Sequence, residues 1–373
     1  MFYLAGIVIA FFLTFILISK KGKSNADLVL AAWIGTAGFQ LIFYNLYISG
    51  KYVDYPFFLG IDLPIPLLHG PLLLLYTREM TGQKSGNFSY KWNFVPYLFF
   101  TALLSRFIFS PASYKIAVYQ QHGAGYETLV FAISLAVMFS GVIYAGLALR
   151  LLAIHQRNIR EVYSNTDKIN LRWLAYLIFG IFVIWTIVIF GNDQYTYGAV
   201  VIFLFFQGYF GIKQVGIFTN SIKPASVIID EEIRAEETEA LSSNTKYARS
   251  GVNMDELNRI HEQMKIQMFE NKYYKNPELT LGQLAEELQV HPNVLSQVIN
   301  SLEGKSFFDY INELRVDAFK VAVSNNENQK YTLLALAFDC GFNSKTSFNR
   351  NFKKATGLAP SEYISKAKMM ISA

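Results

Sequence analysis

Up to about Phe218 the chain alternates long apolar runs with short polar breaks, and beyond it charged residues become dense. Seven runs, at 2–19, 27–49, 59–78, 92–109, 128–149, 172–191 and 196–213, reach or approach the roughly 20 helical residues that cross about 30 Å of hydrocarbon. The stretch WLAYLIFGIFVIWTIVIFG (173–191) has no polar face, which a helix packed on a soluble core would show. The first run could pass for a signal peptide. No basic region precedes it, however, and KKGK follows where a small-residue cleavage site would stand, so a retained helix is expected. The predicted fold class is all-α, with a seven-helix transmembrane bundle over 1–218 followed by a second region of different character.

From 219 to 252 the periodicity disappears. DEEIRAEETE (230–239) is acidic and LSSNTKYARSG is small and polar, the composition of a flexible acidic linker. Order is expected to resume at Asn253, an N-cap with Glu256 three residues on, as in a capping box. Leu257, Ile260, Met264 and Met268 then share one helical face, which packs in a core or serves as a coupling or dimer helix; a homodimer is one expected partner.

Within 253–373 the pattern repeats. Leu281, Leu284, Ala285 and Leu288 mark a short helix, Gln289–His291 a turn, and Pro292 the first position of a second helix. Leu295, Val298, Ile299 and Leu302 face inward there, which turns Asn293, Gln297 and Asn300 outward with Ser296 at the edge. A second short helix (332–339), a turn at Cys340–Asn343 and Ser344 as N-cap repeat the arrangement 52 residues further on. Phe348 and Phe352 must face a core, so Thr346, Arg350 and Lys353 face out, with Lys345, Ser347 and Asn349 at the margins and Lys354 to one side. Two helix-turn-helix units on a long apolar-striped helix (306–323) could enter successive major-groove turns, about 34 Å apart. Double-stranded DNA is therefore an expected partner, with these eleven side chains as its contacts.

Charge refines the picture. The chain is 52% hydrophobic and only 16% charged over 373 residues, and the deficit lies in the first part. Loops one, three and five carry Lys20, Lys21, Lys23, Arg78, Lys84, Lys91, Arg150, Arg157, Arg160, Lys168 and Arg172; the others carry Lys51 and Lys115, with Arg106 near a span end. This bias predicts an inner-membrane protein with its N-terminus outside and its C-terminus cytoplasmic. A single Cys, Cys340, fits a reducing compartment. Residues 276–339 hold 4 basic and 9 acidic side chains, whereas 340–373 hold 6 basic and 1 acidic. The second unit should therefore supply most phosphate attraction, while the first relies on Asn and Gln, suited to adenine edges.

Ionisable residues inside spans are costly and often functional. Asp62, His69 and Arg106, with Glu127 and Asp193 near Asn45 and Asn192, fall in the outer half of the expected bundle and could line a pocket for a small molecule or envelope signal. The plainer alternative is interhelical hydrogen bonding, with His69 satisfying carbonyls freed by Pro71. No GxGxxG, P-loop, HExxH or CxxC spacing occurs, and the five His residues (69, 122, 155, 261, 291) are scattered. No cofactor, metal or catalytic residue is expected. An intramembrane enzyme or a transporter with a regulatory tail is the alternative reading.

The segment GFNSKTSFNRNFKKATGLAPSEY resembles the signature of the AraC-type (arabinose-regulator) transcription factors, over about residues 275–366. Gly341, Phe342, Ser344, Phe348, Arg350, Phe352, Lys353, Gly357, Pro360 and Tyr363 stand where that pattern has them. The resemblance implies two helix-turn-helix units bridged by a long helix, and a transcription regulator. The first reading helix departs from the common pattern in carrying no basic residue. LLHGPLLLLYTREMTG (67–82) is similar to the seven-span sensor region fused to such domains in some bacteria.

Overall fold

The structure, a computed structural model, describes residues 1–83, 90–213, 253–325 and 330–371. The expected linker at 219–252 and the loop residue Lys84 lie outside the described residues. Among those described, helices joined by turns make up the regular structure and no β-strand occurs. The chain divides into two compact units, residues 1–154 with 171–229, and residues 155–170 with 230–373.

The first unit contains α1 (Phe2–Ser19), α2 (Asn25–Ile48), α3 (Pro66–Thr81), α4 (Val95–Ile108), α5 (Ala112–Gln120), most of α6 (Glu127–Val162), α7 (Arg172–Phe190) and α8 (Asp193–Lys213). Ser24 caps α2 in a box with Asp27, whose carboxylate also holds Lys20 at 3.0 Å. Helices approach closely where side chains vanish: a Cβ on Gly141 of α6 would lie 2.2 Å from the Trp185 ring of α7. Large apolar side chains point outward, Phe131 at 69% and Phe179 at 65% exposure among them. Water would penalise such a surface, whereas lipid would not.

Helices stand at each of the seven expected positions, but they differ in reach. α1, α2, α6 and α7 are long and apolar enough to cross a membrane, and the pair 91–108 and α5 would make a fifth despite a bend of 108°. α3 has only 16 residues. The helix α5 departs from the expected loop. Its Lys115 is buried, donating to the carbonyls of Phe57 (3.3 Å) and Ile108 (3.1 Å).

The second unit contains α9 (Met254–Glu270), α10 (Leu281–Glu287), α11 (Pro292–Val298), α12 (Phe307–Ser324), α13 (Leu333–Asp339), α14 (Lys345–Thr356) and α15 (Pro360–Ile371). Asn253 caps α9 by accepting from the Asp255 amide at 3.4 Å, so the box expected with Glu256 is replaced by a bond to a nearer amide. Two cores flank α12. Its first half gives Phe307, Tyr310 and Ile311 to a core with Leu257, Met264, Leu284, Leu295 and Val298. Its second half gives Val316 and Phe319 to a core with Leu336, Phe342, Phe348 and Phe352. One rigid helix thereby holds both helix pairs.

Residues 155–170, a loop of the first region by sequence, pack with this second unit. The segment is the last turns of α6 and the chain's return. His155 Nε2 bonds the Ile169 carbonyl at 2.9 Å and Gln156 donates to that of Asn170 at 3.0 Å, tying its ends.

Candidate nucleic-acid interface

The second helix pair is built around aromatic packing. Phe319 lies 4.7 Å from Phe348 and 5.5 Å from Phe352 between ring centroids, and Tyr363 of α15 closes on Phe352 at 5.4 Å. These contacts fix the rotation of α14 about its axis. Ser344 caps it, accepting from the Ser347 amide at 3.1 Å, and Gly357 ends it in the left-handed region. The turn between α13 and α14 needs glycine at 341. Its φ is +96°, and a Cβ there would meet the Tyr274 carbonyl oxygen at 2.4 Å.

With that rotation set, Lys345, Thr346, Asn349, Lys353 and Lys354 are exposed and Arg350 is half-buried. Ser347, expected at the margin of the outward face, is instead buried and accepts from Asn351 Nδ2 at 3.2 Å. It supports the helix from below and is withdrawn from the contact set. In the first pair, Asn293, Gln297 and Asn300 are exposed and Ser296 is half-buried. His291 caps α11, its Nδ1 accepting from the Asn293 amide at 3.2 Å, and Asn300 stands just past the helix, bonded to Ser296 Oγ at 3.3 Å.

Carboxylates already hold several of these groups. Ser344 Oγ donates to Asp167 at 2.6 Å, and Arg350 pairs with the same carboxylate at 3.5 Å while lying over the Phe308 ring. Asn300 donates to Glu161 at 3.3 Å. Lys354 reaches Asp309 at 2.7 Å, where Arg160 also arrives at 2.7 Å. Burial works to raise the Asp309 pKa, but the Lys354 hydrogen bond and the Arg160 charge outweigh it and hold the carboxyl below its ordinary value.

Beneath them Arg315 is buried on α12. It donates through Nε to the Tyr274 carbonyl (2.7 Å) and through Nη2 to Ser164 Oγ (3.0 Å) and the Asn276 carbonyl (2.7 Å). Nη1 reaches the Ser164 carbonyl and Asn312 Oδ1, both at 3.3 Å, and burial draws the guanidinium pKa down to about 10. The sequence reading had no role for Arg315, although a cation between Ile311 and Phe319 at helical spacing was a visible sign of a buried hub. Nothing in the polar run SNTD (164–167) marked its partners.

In the first unit, a cavity of about 360 Å³ opens among α2, α3, α6, α7 and α8. Asp62 and His69 line it, with Gln40, Asp193, Trp33, Trp185 and Tyr197; Arg106 does not. His69 accepts from Trp33 Nε1 at 3.0 Å and donates through Nε2 to Gln40 Oε1 at 2.7 Å, so a neutral ring is satisfied at both nitrogens. These partners are side chains, not the carbonyls near Pro71. Tyr119 donates to Asp62 at 3.4 Å. Among the described residues no cluster of His, Cys, Asp and Glu could hold a metal ion.

Residues 284–366 match a family described as a helix-turn-helix domain. A stretch of 86 residues is 36% identical to an uncharacterized HTH-type transcriptional regulator of Bacillus subtilis (strain 168), YobQ, and covers 23% of this chain and 34% of that protein. The chain thus spans about a third of that relative's length. No solved structure matches the chain significantly. The matched residues hold α11 through α14 and the turns described above. Within the C-terminal unit, residues 284–366 are thus similar to a helix-turn-helix domain.

Proposed function

We propose that the chain is a membrane-embedded, one-component transcription regulator that binds specific DNA through α10–α11 and α13–α14 in response to a signal reaching the helical bundle. The observation that carries this reading is α14. Its aromatic face is locked into a core, and its opposite face presents Lys345, Thr346, Asn349, Arg350, Lys353 and Lys354 in a segment matching a helix-turn-helix family. Arginine gives a planar fork for guanine O6 and N7, and the lysines suit phosphates. On α11, Asn293 and Gln297 would read adenine edges. The name of the Bacillus relative agrees with a role in transcription.

The membrane part of the proposal rests on the four long apolar helices and the outward Phe side chains. The Lys and Arg bias favours seven crossings with the C-terminus in the cytoplasm. Reporters fused after Lys168 should then behave as cytoplasmic and one after Lys115 as external; a cytoplasmic Lys115 fusion would overturn this topology. The cavity supports small-molecule sensing. Among the described residues, Asp62 and Asp193 line it with no Lys or Arg, which favours a cationic or hydrogen-bond-donating head group over an anion.

Crosslinking the protein to DNA in its host and sequencing the recovered fragments tests the reading. A limited set of upstream regions sharing one sequence pattern is expected. Uniform recovery of chromosomal DNA would contradict specific binding.

A further inference from the structure

Residues 161–167 lie across the surface that the proposed regulator would offer to DNA. Centrally, Ser164 is anchored: its amide donates to the Leu279 carbonyl at 3.1 Å, and its own carbonyl accepts from Asn312 at 2.9 Å and from Arg315. Tyr163 pairs with Thr280, the cap of α10, in an isolated antiparallel bridge. From this anchor two carboxylates extend to different helix pairs. Glu161 takes Asn300 beyond α11, and Asp167 takes Ser344, the cap of α14, and Arg350 within that helix. Arg160 meets Asp309, the carboxylate that Lys354 also uses.

Carboxylate and phosphate oxygens are alternative acceptors for the same amide, hydroxyl and guanidinium donors. A negative segment on these groups also repels the DNA backbone. We infer that residues 161–167 are a built-in competitor for DNA, so that the structure represents a self-inhibited state in which one segment holds both helix pairs, and DNA binding requires its release.

The inference rests on the DNA-binding reading and goes one step past it. A purely structural loop would need the Ser164–Arg315 anchor but not two carboxylates aimed at reading side chains of separate helix pairs. The position in the chain is apt for regulation. The segment continues α6 directly, and the first turns of α6 contribute Val130, Ile133, Ser134, Val137 and Met138 to the cavity lining.

The experiment uses the full chain in lipid nanodiscs and a duplex enriched by that protein from a random-sequence pool. Glu161→Gln with Asp167→Asn should tighten binding about tenfold at fixed salt, because both competing carboxylates lose their charge. Glu262→Gln with Glu270→Gln, an equal charge change on α9, should alter it less than about twofold. Asp167→Cys with Ser344→Cys, where the two side chains touch, provides a lock. Its oxidised form should bind at least about tenfold more weakly than its reduced form. An Asp167/Glu161 variant no tighter than the α9 control, or a lock that leaves affinity unchanged, overturns self-inhibition while leaving DNA binding intact. If no duplex is enriched and no variant binds, the DNA-binding reading fails and this inference falls with it.

Discussion

The two helix pairs of the C-terminal unit share a backbone plan and differ in chemistry. Each opens with a seven-residue helix capped by threonine, Thr280 for α10 and Thr332 for α13. Each turn uses a residue in the left-handed region, Gln289 at φ +55° and Gly341 at φ +96°. Each second helix starts from a side-chain cap, His291 or Ser344. The side chains then diverge. α11 has no basic residue, whereas α14 carries Lys345, Arg350, Lys353 and Lys354. On the proposed DNA-binding reading, the same scaffold would support two recognition modes: ionic attraction from the second pair, and neutral amide readout from the first.

The largest expected effect falls on the second scaffold. Phe352→Ala removes a fully buried ring shared by α12, α14 and α15, and should cost about 3–5 kcal/mol. Amide exchange of the full chain in nanodiscs should show α13–α15 losing protection while α10–α11 keep theirs. Loss in both pairs would mean that the two cores fold as one. Gly341→Ala follows, at roughly 2–4 kcal/mol, since a left-handed backbone and a carbonyl clash both oppose it. Gln289→Gly in the matching turn should instead be neutral or stabilising by up to about 1 kcal/mol, because it relieves the strain alone.

Smaller effects concern recognition. Lys353→Ala should weaken enriched and scrambled duplexes about equally and lower the salt slope by about one unit. Gln297→Ala should leave the slope unchanged and cost roughly 1 kcal/mol on the enriched duplex only. A changed slope for Gln297→Ala would erase the contrast between the pairs.

Much of this was legible in the sequence because caps and apolar spacing act locally. Pro292, Ser344 and the Phe348–Phe352 pair signalled their helices within a few residues. The helix α5 was not legible, since its Lys115 reads as a loop charge until Phe57 and Ile108 supply carbonyl partners from elsewhere. Ser347 was misplaced for a similar reason: helical angle put it at the margin, and only packing with Asn351 decided that it was covered. The proposed role of residues 161–167 depends on contacts as distant in sequence as Ser164 with Arg315 and Asp167 with Ser344. No local pattern reports such pairs.

Whether α14 reads DNA is tested most directly at Arg350. Its side chain lies opposite the buried Phe face, so Arg350→Ala should leave the fold intact. The substitution also removes the pair with Asp167, which would favour release, but that gain is common to every duplex. The ratio of affinities for enriched and scrambled duplexes is therefore the quantity to measure, at two salt concentrations. Arg350→Ala should lower that ratio by roughly 1–3 kcal/mol and relax the preference at one base pair. An unchanged ratio, with both affinities reduced by one factor or neither reduced, would show that Arg350 does not read a base, and would contradict the assignment of α14 to the groove.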